Sequence, residues 1–273
     1  MIISSKYYIM ANKIKDIVII IFCLLIFITL LIIGIFFQKT RAERFPTNFG
    51  NTKIIIGSYH KTGSVLWSSI WSAYFKPRNI RYADSNHFNR LSQADILRNK
   101  CIVIIRNPYE IIMSGVRYHQ KTDEAWCHVP KLKYNNKSYQ EYLQKLNTDD
   151  KIIFEMSNTS YSTIMSIYKD IKFRNTSNSV LFIKLEDLYN EQKIPQICTQ
   201  IKNHLSPIYI QNSELISIMK MKLNNDYHRT NKSNKYTYHS SFKSQHKKKF
   251  DQLFPEDIFK VFGYSDDLSI GPK

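Results

Sequence analysis

Cysteine and glycine are scarce in this chain: four Cys and seven Gly, with eight Pro, in 273 residues. A disulfide-stapled miniprotein needs far more cysteine for its length, and a collagen-like repeat needs glycine at every third position, so both are excluded. Acidic residues are short as well, 22 Asp and Glu against 39 Lys and Arg, which leaves a net charge of +17. A disordered tail would combine such charge with few apolar residues, whereas 43% of this chain is hydrophobic and 14% aromatic. One globular domain is the expectation. No internal repeat is present, and the only biased segment is the Lys-rich Lys243–Lys249.

Part of the hydrophobic content is concentrated in residues 17–37, IVIIIFCLLIFITLLIIGIFF, which run for 21 positions without a charge. At 1.5 Å per residue such a helix reaches across a hydrocarbon core of about 30 Å. A cleaved signal peptide has a shorter apolar stretch followed by small residues, but here Gln38, Lys39 and Arg41 follow. A retained signal anchor is therefore expected: a tail (1–16), one transmembrane helix (17–37), a polar stalk (38–52) and a folded domain (53–273). Lysines and arginines flank the span on both sides, so charge alone does not orient it. Residues 1–37 carry Lys6, Lys13, Lys15 and Asp16, a net +2, which leaves +15 on the rest.

Four sequons, at Asn136, Asn158, Asn175 and Asn231, suit a lumenal glycoprotein, though a chain rich in Asn and Ser produces some by chance. Cys23 lies in the span and Cys101 begins an apolar run; Cys127 and Cys198 are the two that could pair.

In the folded part, Lys53–Gly57 (KIIIG), Cys101–Ile105 (CIVII) and Val180–Leu185 (VLFIKL) read as buried strands. Helical patterns follow the first two, from Val65 to Phe75 and from Tyr109 to Gln120, and others cover about 138–147, 160–172, 194–205 and 213–224. Strands alternating with helices predict an α/β fold with a parallel sheet. The first strand runs into the turn SYHKTGS and then a helix, an arrangement that cradles phosphate on backbone N–H groups with a lysine beside them. The second ends at Arg106, and its helix presents Ser114 two turns on, a pair able to hold another phosphate.

SYHKTGS followed by RNPYEIIMSGVRYH resembles the two nucleotide-binding signatures of sulfotransferases, the family that uses 3′-phosphoadenosine 5′-phosphosulfate (PAPS). The likeness extends from about residue 53 to the C-terminus: FIKLEDL resembles a further strand and turn of the family, and Arg229 with KYTYHSSF and KKKF resembles its late basic loop. The resemblance implies a P-loop-like parallel sheet flanked by helices and a membrane-anchored member of Golgi type, single-pass type II with a lumenal domain. It implies PAPS held by Lys61, Thr62, Gly63, Ser64 and Val65 at the 5′ end and by Arg106, Ser114 and Arg229 at the 3′-phosphate, with no metal. This sequence departs from the family at His60, where Pro is usual, at Val65, where Thr is common, and at Trp67, one position late for the family's tryptophan. The late loop lacks the family's glycines.

Sulfuryl transfer builds charge on the leaving phosphate oxygen and frees a proton from the acceptor hydroxyl. Lys61 is suited to the first and an imidazole to the second. His87, between the two signatures in RYADSNHF, resembles the family's catalytic histidine; an acid such as Glu110 or Glu124 is the alternative base. Trp126 and His128 follow the second signature and could border the acceptor, and Lys247, Lys248 and Lys249 read as a solvated face or a steering patch. The implied acceptor is a hydroxyl, on a carbohydrate. Two other readings stay open: a membrane-tethered nucleotide-binding protein without turnover, and a P-loop kinase, although the chain lacks G-x-x-x-x-G-K-[ST]. Nucleic acid is not an expected partner, since the basic residues are dispersed.

Overall fold

A computed structural model describes residues 54–174, 178–224 and 241–266, together with Ile26 and Thr29. The chain divides into Met1–Gly50 and Asn51–Lys273, and the sheet lies in the second unit. The expected anchor falls outside the described residues apart from Ile26 and Thr29, as do the stalk, Arg229, Asn175 and Asn231. Among the described residues no helix is long and apolar enough to cross a membrane.

The three apolar runs form β1 (Ile54–Gly57), β3 (Lys100–Ile105) and β4 (Val180–Lys184). Beside β1 lies a strand that the sequence reads as polar loop, β2 (Ala83–Ser85). The order is β2-β1-β3-β4, all parallel. β2 is Ala-Asp-Ser at the sheet edge, held by backbone pairing of Ile55 with Ala83 and Gly57 with Ser85, so no hydrophobic pattern marks it.

The helices are α1 (Ser64–Phe75), α2 (Gln93–Arg98), α3 (Pro108–His119), α4 (Tyr139–Lys145), α5 (Thr148–Ser157), α6 (Thr159–Lys169), α7 (Leu185–Leu188), α8 (Ile194–Leu205), α9 (Asn212–Asn224), α10 (Ser244–Leu253) and α11 (Ile258–Phe262). Continuous apolar strands need cover on both faces. Ile55, Cys101, Val103 and Ile105 pack with Tyr109 and Ile112 of α3, Ile164 of α6, Phe250 of α10 and Phe259 of α11. Ile54, Ile56, Ile102 and Ile104 pack with Trp67, Ile70 and Trp71 of α1, Ile201 of α8 and Met219 of α9. Trp67 is thus a core residue; its indole N–H donates to the Ile102 carbonyl at 3.5 Å.

α5 has no counterpart in the helical patterns of the sequence, although Asn147 caps it by accepting from the Asp150 N–H. Its inward stripe is Ile152, Glu155 and Met156, and a carboxylate in that stripe interrupts the apolar period. Cys127 and Cys198 are free thiols in separate hydrophobic clusters, and burial pushes each up to about 12. At the two described sequons, Asn136 is exposed, while the Asn158 amide donates to the Phe154 carbonyl.

From β1 the chain crosses to β2 on one side and returns to β3 on the other. That reversal opens a crevice outside the C-terminal ends of β1 and β3, where open α/β sheets bind ligands.

Candidate functional site

The turn after β1 is built almost entirely by its own residues. Thr62 is fully buried, with its hydroxyl donating to the Tyr59 carbonyl and accepting from the Tyr59 N–H, both at 2.9 Å. Its backbone N–H also donates to the Tyr59 carbonyl, at 3.2 Å, so Thr62 shapes the turn with both side chain and backbone. Lys61 and Gly63 flank it in the left-handed region, at φ 64° and 90°. A Cβ on Gly63 would also meet Leu185 at 3.1 Å, so both backbone and space favour glycine. Gly63 begins α1 without any side-chain cap, and no acid sits in the first turn. The N–H groups of Ser64, Val65 and Leu66 thus have no partner within the helix, and the positive end of its dipole is uncompensated. Val65 holds its side chain outward, 58% exposed.

The end of β1 is also pressed against the loop that carries His87. A Cβ on Gly57 would lie 2.6 Å from the Phe88 ring and 2.8 Å from Val103, and the Phe88 N–H donates to the Ser58 carbonyl at 3.1 Å. His87 is brought in this way to the mouth of the Lys61 turn.

Arg106, at the end of β3, donates to the Lys61 carbonyl at 3.2 Å and to Glu110 at 2.9 Å, so the two turns touch. Arg117 approaches the same Glu110 carboxylate at 3.9 Å. Ser114 is buried at 3% exposure in the middle of α3. Glu186, from FIKLEDL, accepts from the Asn107 N–H at 3.1 Å and from the Tyr264 hydroxyl, which fastens the second turn to β4 and the C-terminal segment. Burial raises the Glu186 carboxyl above the usual range.

The Lys61 ammonium lies over the Tyr118 ring. Burial pushes Lys61 down to about 7, opposed by the charges of Glu124 and Glu155. A cleft of about 560 Å³ opens beside it, walled by His60, Ser64, His87, Arg90, Glu124 and Trp126 together with several hydroxyl and amide side chains. Glu124 is fixed by the Tyr118 hydroxyl at 2.6 Å and by the Trp126 indole N–H. Burial lowers His87, helped by the charge of Arg90, so neutral imidazole is favoured. His128 turns to the Thr122 carbonyl instead, at 3.0 Å. Lys247 is tied to Asp251 and Asp266.

Of the residues expected at a site, Lys61, Thr62, Gly63, Ser64, Val65 and Arg106 meet at the two turns, and His87 and Trp126 line the cleft beside them. Among the described ones, Ser114, Thr62 and Glu110 are buried inside the fold, and Arg229 lies outside the described residues. Two buried polar groups near the site carry no mark in the sequence: His119, read simply as part of the second signature's helix, and Glu155, hidden in α5.

No protein-family model matches this chain, and no curated protein sequence does. Among solved structures it is similar to that of the mouse sulfotransferase SULT7A1 complexed with PAP, the desulfonated form of PAPS, at 16% sequence identity and a TM-score of 0.48. The match covers 78% of this chain and 89% of that one.

Proposed function

We propose that this chain is a sulfotransferase that moves a sulfuryl group from PAPS to an acceptor hydroxyl, on a carbohydrate, with the enzyme held in the Golgi membrane by a single type II anchor and its domain in the lumen. The observation that carries the reading is the meeting of two cationic turns at adjacent parallel strand ends, Arg106 on the Lys61 carbonyl, directly beside a polar cleft with imidazoles in its wall. The uncapped start of α1 and the Lys61 ammonium would receive the 5′-phosphosulfate. Arg106, with Arg229 and Ser114, would serve the 3′-phosphate. Arg106 already holds Glu110, so phosphate there competes with a carboxylate. In the transfer, the acceptor oxygen bonds to sulfur as the sulfur–phosphate oxygen bond breaks, and Lys61 neutralises the leaving oxygen. His87 is the imidazole the sequence marks for the released proton, and His60 stands in the same cleft wall. Trp126, 36% exposed, offers a ring to a sugar face.

The test is thermal. PAP is expected to raise the melting temperature and ATP to leave it unchanged; equal or greater stabilisation by ATP overturns the reading in favour of a kinase. Labelled-sulfate transfer to a glycan panel then identifies the acceptor, and binding without transfer to any hydroxyl acceptor would instead support a tethered nucleotide-binding protein.

Affinity should also depend on pH. Anionic phosphates favour the charged form of Lys61, which in the free protein loses its proton near 7. Above that pH, binding must take up a proton, so the Kd for PAP is expected to rise by up to about tenfold per pH unit. Below it, Lys61 is already charged and the dependence flattens. Lys61→Arg, which keeps its charge, should remove the slope between pH 7 and 9 in calorimetric titrations.

A further inference from the structure

Behind the cleft, α5 carries a carboxylate that the scheme above does not use. Glu155 has no solvent exposure, and three donor groups converge on it: the Tyr139 hydroxyl at 2.8 Å, the Ser160 hydroxyl at 2.8 Å and His119 Nδ1 at 2.9 Å. A carboxylate only accepts, so His119 holds its hydrogen on Nδ1 and offers a lone pair at Nε2. His119 Nε2 faces His60 Nε2 at 2.9 Å, a spacing that requires one hydrogen between the two nitrogens. His119 has none to give there, so it comes from His60. That leaves the His60 lone pair on Nδ1, in a residue that walls the cleft. A buried carboxylate thus sets the tautomer of a cleft imidazole through a second, fully buried imidazole.

Resting on the sulfuryl-transfer reading, we propose that His60 is the catalytic residue that takes the acceptor's proton, with His119 and Glu155 as the positioning residues that receive its charge. As the acceptor O–H bond breaks and its oxygen bonds to sulfur, the proton goes to His60 Nδ1. The hydrogen on His60 Nε2 passes to His119 Nε2, and the resulting imidazolium stands against the Glu155 carboxylate. The electron pair of the broken sulfur–oxygen bond stays on the phosphate beside Lys61. After product release the proton returns along the same path to water.

The surroundings explain why a relay is needed. His60 is faced by Lys61 on its own turn, Tyr118 and His119 on α3, Glu124 after α3 and His87 after β2. Burial and then the charge of Lys61 push His60 down to about 3, so a proton does not rest there. Passing it to His119 puts the positive charge next to a carboxylate instead. His87 has no side-chain hydrogen bond to fix it among the described residues, whereas both the partner and the tautomer of His60 are set in advance.

Two readouts test this on the full-length protein in detergent micelles. The first needs no activity: with ¹⁵N-labelled histidine, two-bond nitrogen–hydrogen spectra at pH 7.5 report which ring nitrogen is protonated, the signals being assigned with His60→Gln and His119→Gln. Hydrogen on Nε2 of His60 and on Nδ1 of His119 is expected; hydrogen on Nδ1 of His60, or on Nε2 of His119, overturns the relay. The second is kinetic. His60→Ala should lower kcat by about 100-fold or more, the usual range for a positioned proton acceptor, and by more than His87→Ala does. PAP should still raise its melting temperature, which shows that it is folded, and added imidazole should restore part of the rate. Full activity of His60→Ala, or a greater loss in His87→Ala, overturns the relay and leaves the sulfotransferase reading intact. A wild-type protein with the expected tautomers that neither binds PAP nor transfers sulfate overturns that reading, and with it the origin of the proton.

Discussion

Lys61→Ala is expected to slow sulfate transfer by about 10²–10³-fold, the usual cost of losing one preorganised donor at a developing oxyanion. The ammonium is half-buried over the Tyr118 ring, where water screens it less than at an exposed surface, so its attraction for a leaving phosphate oxygen is strengthened. Folding should be little affected. Position 61 sits at φ 64°, a conformation in which lysine is already strained and alanine is no worse, and the turn is closed by Thr62 and Tyr59 rather than by the lysine side chain. The rate constant measured with saturating PAPS and acceptor checks the expectation, alongside a melting curve. Lys61→Arg should recover part of the loss, because the charge returns but the compact ammonium does not. A fully active Lys61→Ala variant would sink the role given to Lys61 in the transfer.

Gly115→Ala is expected to destabilise the protein by about 2–4 kcal/mol, although it replaces glycine by alanine within a helix. On helix propensity alone the change would gain about 1 kcal/mol. The added methyl would lie 2.4 Å from Glu155 Oε1, 2.7 Å from Cδ and 2.9 Å from Cγ. A flexible surface glutamate could swing aside, but this one is held by Tyr139, Ser160 and His119 with no path to solvent. Moving it strips a buried carboxylate of its donors, and breaking such a site costs about 3–5 kcal/mol. Urea titration measures the difference, and a fall in melting temperature of roughly 5–15 °C should accompany it. A Gly115→Ala protein as stable as the parent would mean that Glu155 is free to leave its pocket, and the positioning of His119 would then lack its anchor.

Much of the sheet is legible in the sequence alone. β1, β3 and β4 are continuous apolar runs because each is covered on both faces, and such runs stand out in sequence. The turn SYHKTGS is legible for a related reason: Thr62 and Gly63 determine its shape over a few neighbouring residues, and local geometry leaves a local signature. β2 left none, being a short Ala-Asp-Ser segment held by backbone pairing. α5 was obscured by the very carboxylate that makes it interesting.

The sequence by itself determined the parallel α/β pattern, the two cationic turns and the placing of a lysine and an arginine at strand ends, since all of these follow from short-range periodicity and turn chemistry. Only the tertiary structure decided which groups face one another. His60, His119 and Glu155 come from a turn and two helices, separated by 59 and 36 positions along the chain. Their protonation is set by hydrogen bonds that form only when α3 and α5 pack beside β1, and a sequence does not record distances between residues so far apart.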